Sequence, residues 1–190
     1  AAYSNAGGSY GGYGAVQASA GANAVYGDYR NPNELGSGPG TETWYSESAG
    51  GGLVRIVAGS TVVDGAILAN GGDVTGNKGM TGSGGGVRLD TGTLSGGGTI
   101  AANGGNVTTQ YGWGGGGGRV ALFYEALAGL DLARVTAYGG RGDPDDPPGA
   151  AGTVYLKQNG SEGRLVIQNQ GVATAAYTPL GLPTDTLFTA

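Results

Sequence analysis

Four apolar pairs set the frame for what this chain can fold into. Val54/Ile56, Val87/Leu89, Val120/Leu122 and Val154/Leu156 each alternate with a residue of other character, and their first members lie 33, 33 and 34 residues apart. Alternation at a period of two marks a half-buried strand. It predicts that Arg55, Arg88, Ala121 and Tyr155 face outward. Recurrence at a fixed long period marks a repeat architecture, in which each unit buries its apolar face only against its neighbours.

A second column follows each pair: GAILANGG at 65–72, GTIAANGG at 98–105, ARVTAYGG at 133–140 and RLVIQNQG at 164–171. Connectors such as GSTVVD and TGTLSG have room for one more short strand, and Gly-rich loops span 73–86, 106–118 and 141–152. No sustained 3.6-residue period with capping signals competes, and EALAGLDLARV at 125–135 is read as continuing the coil. The expected fold is all-β: a right-handed parallel β-helix (β-solenoid) of about four to five coils, with long Gly-rich loops. The expected domain spans 1–171, with an irregular Tyr-rich part at 1–46 and regular coils at 47–171. Residues 172–190 are expected to form a C-terminal extension: a cap, or a strand or linker to a neighbour.

Composition enters as a test of this frame. Glycine accounts for 45 of the 190 residues, a level usual in collagen or disorder. Collagen is excluded because no Gly-X-Y period runs through the chain. Disorder is countered by the stacked apolar columns. Glycine instead suits corners with positive φ and loops that run extended and flat against one another, where a Cβ would clash. The absence of Cys and His excludes disulfides, Cys/His metal sites and nucleophilic or acid–base sites built on those residues. A net charge of −5 argues against nucleic acid. No apolar run is long enough to span a membrane. The Ala1-Ala2 start reads as a mature end after signal cleavage or as a cut inside a larger protein.

The repeat places Asn70, Asn103 and Asn169 in one column, with Tyr138 in place of asparagine in the third coil. Asparagines stacked in this way can satisfy each other's amide groups, so they are expected to form a structural ladder rather than a ligand site. Six of the eleven tyrosines precede residue 46: Tyr3, Tyr10, Tyr13, Tyr26, Tyr29 and Tyr45. They are expected to cover an open end of the solenoid or to form an interface or carbohydrate-stacking face. Tyr3, Tyr10, Tyr13, Leu180, Leu182 and Phe188 are the candidate assembly residues.

GGGVRLDTGTLSGGGTIAANGG, followed by GGGGGRVALFY, resembles the Gly-rich β-helix repeats of large secreted and cell-surface, adhesin-like proteins of bacteria and some protists. VYGDYRNPNELGSGPG and GAAGTVYLKQNG resemble other parts of that module, and the likeness covers about residues 7–171. The resemblance implies an extracellular or cell-surface structural or adhesive role and transfers no catalytic residue. Tyr138 and the RGDPDDPPGA loop depart from the pattern, and the GGxGxDxUx calcium repeat is absent.

Carboxylates are the remaining chemistry. A glycosidase needs two of them facing one sugar, yet Asp90 has no acid at the 33-residue offset, and no catalytic residue is assigned. Asp143, Asp145 and Asp146 share one loop and could hold calcium, the one cofactor considered; turn-forming aspartates are the simpler reading. Arg141-Gly142-Asp143 is weighed as a chance tripeptide. Asn106-Val107-Thr108 and Asn159-Gly160-Ser161 are sequons that matter only in a glycosylating pathway. The functional expectation is a non-enzymatic structural protein, extracellular or at the cell surface, that assembles head to tail into a filament or forms a stalk. Its expected partners are copies of itself or adjacent repeats of the same protein, with surface glycans as a further class, and with no nucleic acid and no membrane span. The alternatives are a carbohydrate- or surface-binding adhesin module, whose loops 73–86, 106–118 and 141–152 present the ligand face, and a polysaccharide-degrading β-helix enzyme.

Overall fold

A computed structural model describes residues 5–17, 21–41, 44–75, 78–108, 111–143 and 146–180. Tyr3, Asp145, Leu182 and Phe188 lie outside the described residues. The first turn contributes β1 (Ser46–Glu47), β2 (Leu53–Val62) and β3 (Ala66–Leu68). The second contributes β4 (Gly79–Met80), β5 (Gly86–Ser95) and β6 (Thr99–Ala101). The third contributes β7 (Gly112–Trp113), β8 (Arg119–Ala128) and β9 (Val135–Thr136), and the chain continues through β10 (Thr153–Gln158) and β11 (Arg164–Val166). A 3-10 turn at Leu132–Arg134 is the only helical element among the described residues.

The strands stack into three sheets, ordered β1-β4-β7, β2-β5-β8-β10-β11 and β3-β6-β9. Every pairing is parallel except that of β10 with β11. The chain is thus a β-solenoid of about three turns. Val54 pairs with Val87, Val87 with Val120 and Val120 with Val154, so the register is the one the repeat predicts. Val87, Leu89, Leu94, Ile100, Val120, Leu122, Val154 and Leu156 form the buried core. The connectors GSTVVD and TGTLSG do not make separate short strands. β2 and β5 each run straight through ten residues.

The Gly-rich segments pack by another rule. In the second turn the N–H of Gly84 donates to Gly116 in the next turn, Gly85 donates across to Ala69, and Gly86 donates back to Gly52. The third turn repeats this, with Gly117 donating to Ala150, Gly118 to Ala102 and Arg119 to Gly85. Three successive donors therefore point in three directions, the habit of an extended helix of three residues per turn rather than of a flat strand. Each such segment is surrounded by others, and a Cβ on Gly118 would lie 2.1 Å from the Gly85 carbonyl oxygen. Close approach, not positive φ, is the common cause of the glycine; positive φ occurs at Gly27, Gly96, Gly129, Gly160 and Gly171.

The fourth turn is not completed. RLVIQNQG was expected in the second column, but Arg164–Val166 folds back antiparallel onto Leu156–Val154. The reversal follows from Asn159-Gly160, a pairing suited to tight hairpins. Gly160 sits at φ +75°, and the Ser161 N–H and hydroxyl both donate to the Gln158 carbonyl.

The N-terminal region does not cap an end. It lies along the side and ties successive turns together. Gly36 donates to Gly51, Gly8 to Thr81, Ser83 to Ser37, Ala15 to Gly114, Gly11 to Gly117 and Ala150 to Tyr13. Because its backbone fills the gaps between Gly segments, it needs no repeat of its own.

Candidate functional site

The two ends of the stack differ. β2 is the outer strand of its sheet and pairs only with β5. Val57 is 75% exposed, Val62 64% and Leu68 57%, and Trp44, just before β1, is 81% exposed. The core residues of this turn, Val54, Ile56 and Ile67, are half-buried because they pack against one neighbouring turn only. At the far end β11 lies over Val154–Leu156. A long unpaired edge with apolar side chains is a template for another strand, and only the β2 end presents one.

Two rows of side chains run up the corner after the second column. Asn70 Oδ1 accepts from the Asn103 N–H at 2.8 Å, and Asn103 Oδ1 accepts from the Tyr138 N–H at 2.8 Å. The amides therefore serve the next turn's backbone rather than each other, which is why tyrosine is tolerated at the third position. Asn169 is placed differently because its segment folds back: its Oδ1 accepts from Gly139 and its Nδ2 donates to Gly149. Three residues on, a second row was missed. Asp73 Oδ1 accepts from the Asn106 N–H at 2.7 Å and Asn106 Oδ1 from the Arg141 N–H at 2.9 Å. Its signal was the recurrence of Asp73 and Asn106 at the 33-residue offset.

Asp143 and Asp146 point at backbone donors. Asp143 Oδ2 accepts from Tyr111 at 2.6 Å and Asp146 Oδ2 from Gly112 at 2.9 Å. No group of three metal-ligating acidic side chains occurs among the described residues.

The candidate assembly residues turn inward where they are described. Tyr10 is fully buried, with its ring 4.8 Å from Tyr26 and 5.5 Å from the Arg119 guanidinium. Its hydroxyl donates to Glu34 at 2.9 Å. Burial, with the Glu34 carboxylate beside it, holds the Tyr10 phenol well above its ordinary value, and burial lowers Arg119. Tyr13 stacks on Tyr177 at 4.8 Å. Thr178 donates to the Ala151 carbonyl, so the C-terminal segment packs on the same chain, and Leu180 lines a small cleft with Tyr26 and Arg119. Tyr10, Tyr13 and Leu180 thus join the two terminal segments to the stack.

Of the loops expected to present a ligand face, Gly79–Gly86 and Gly112–Gly118 are buried throughout. The polar surface lies instead on the outer face of the central sheet. There Asp90 is held by Arg88 through two bonds, 2.7 Å from Nε and 2.8 Å from Nη2. Arg88 also donates to Asn31 at 2.7 Å, and Tyr29 meets Tyr155 edge-on at 5.6 Å, so the side-lying segment covers part of this face. Beyond it a groove of about 270 Å³ opens between Asp90, Phe123, Glu125, Lys157 and Asn159.

No family model, curated protein or solved structure matches the chain.

Proposed function

We propose that the chain is a non-enzymatic structural module of an extracellular or cell-surface assembly, a right-handed parallel β-helix whose bare first turn stacks against another solenoid turn. The observation that carries this reading is β2: ten residues with no strand partner on one edge among the described residues, beside exposed Val57, Val62 and Leu68. The right hand is the one that parallel β crossovers adopt in nearly all folds. Partners of the same chemistry, copies of this chain or adjacent solenoid repeats, fit best, because only they match the edge in both hydrogen bonds and apolar columns. A net charge of −5 disfavours nucleic acid as a partner. No helix among the described residues is long and apolar enough to cross a membrane.

Sedimentation velocity and electron microscopy over a concentration series at neutral pH test the proposal. Association that grows with concentration and is lost in Leu68→Lys is the expected result. Elongating particles indicate a filament, and a single step to a pair indicates two bare ends meeting, as in a stalk joint. Monomers at every concentration, unaffected by Leu68→Lys, overturn assembly by this chain.

A further inference from the structure

Beyond assembly, the outer face of the central sheet carries a surface that stacking does not use. Parallel register places Val57, Asp90, Phe123 and Lys157 in one outward column. Alongside it, Gly59 and Gly92 present no side chains, and Glu125 stands above them: a Cβ on Gly92 would lie 3.7 Å from Glu125 Oε2. Missing side chains on one column beside a ring on the next produce the groove of about 270 Å³.

The groove is rigid where it matters. The Arg88 guanidinium lies 4.5 Å from the centre of the Phe123 ring, and its double bond to Asp90 fixes it there. Tyr155 supports the ring from the side at 5.8 Å. The Asn159 N–H donates to the Tyr124 carbonyl at 2.7 Å, so the β10–β11 turn holds Asn159 at the rim. Gln158 Nε2 donates to the Glu125 carbonyl at 3.0 Å and steadies the opposite wall. Among the described residues, the Glu125 carboxylate and the Asn159 side-chain amide make no hydrogen bond.

We infer that this groove binds one pyranose ring of a neutral glycan. A sugar presents an apolar C–H face and a rim of hydroxyls that both donate and accept. The groove offers an aromatic ring, carboxylate acceptors at Asp90 and Glu125, and donors at Asn159 and at Lys157, whose ammonium also donates to the Ser161 carbonyl. Its charges cancel, Asp90 against Arg88 and Glu125 against Lys157, so no net field selects an ionic ligand. Its volume falls just below the roughly 300–1,000 Å³ of sites for drug-sized molecules, which suits a single ring with the rest of the chain in solvent. Asp90 is engaged by Arg88, so the pair of acids serves recognition.

Saturation-transfer NMR of the whole chain with glucose, galactose, mannose, N-acetylglucosamine and their disaccharides tests the site. Transfer to ring C–H protons of at least one neutral sugar is expected. Phe123→Ala weakens it about tenfold, the upper worth of an aromatic contact. Glu125→Gln and Asn159→Ala weaken it several-fold with unchanged thermal midpoints. No transfer from any neutral sugar, equal transfer to Phe123→Ala, or binding of uronates alone through Lys157 overturns the assignment. Leu68→Lys, far from the groove, leaves sugar transfer intact, so failure of the site and failure of the assembly reading are told apart.

Discussion

The two ends of the stack are built from the same repeat and finished in opposite ways. At one end β2 lies bare over ten residues, and at the other the chain reverses after Gln158 and lays β11 over β10. The difference lies in a single dipeptide and not in the columns, since the apolar pair Val154/Leu156 would support a further turn as well as Val120/Leu122 does. The stack stops where its chain turns back, and it stays open at β2, which no strand among the described residues precedes in the ladder. Function is therefore sought at the bare end.

Glycines give the sharpest contrast. A Cβ on Gly65, in the first turn, meets nothing within 4 Å, whereas one on Gly98, its equivalent 33 residues on, lies 2.1 Å from the Gly65 carbonyl oxygen. Gly98→Ala is expected to cost about 3 kcal/mol, because the backbone of residues 63–65 beneath it must move. Gly65→Ala is expected to stabilise the isolated chain by about 0.5 kcal/mol through the unfolded state. Urea unfolding of the two variants measures both. If a neighbouring turn docks on β2, Gly65→Ala also blocks that association, because the docked carbonyl occupies the same place. Equal effects of the two substitutions on stability would break the comparison of ends.

Much of this could be read before the structure. The register was visible because Val, Ile and Leu mark alternate positions, and the outward pairing of Arg55 with Arg88 followed from it. The mode of glycine packing was not visible, since a residue without a side chain leaves no periodic trace of where its N–H points. The course of residues 5–17 and 21–41 was hidden for the same reason: they bond to backbone in successive turns and carry no repeat. The reversal was readable in Asn159-Gly160 but was overshadowed by the apparent second column at 164–171. The groove was half visible. Asp90 and Phe123 share the 33-residue offset, but Glu125 joins them only because β8 continues straight to Ala128.

The closed end can be opened. Gly160 holds φ +75°, a conformation that costs a branched residue about 1–2 kcal/mol. Gly160→Val is expected to lose about that much stability and to loosen β11 from β10. The chain then has two bare ends, and head-to-tail association, seen by light scattering on a sizing column, increases over the parent. No change in association would mean that the end surfaces do not govern assembly.

The smallest loss of stability concerns the corner row, which has a direction. Asn70 and Asn103 each accept from the backbone of the following turn, at Asn103 and Tyr138. The N–H of Asn70 itself has no acceptor among the described residues, because no turn precedes it. Asn70→Ala removes one partly exposed bond and is expected to cost about 1 kcal/mol, with faster hydrogen exchange at the Asn103 amide. In the parent the Asn70 amide exchanges fast while the chain is dilute. A neighbour that stacks in register places its own side-chain acceptor opposite this amide, so exchange at Asn70 slows as concentration rises. Slowing at Asn70 together with β2 amides marks in-register stacking, slowing along β2 alone marks an end-to-end contact of another geometry, and no slowing at either leaves the bare edge without a partner of its own kind.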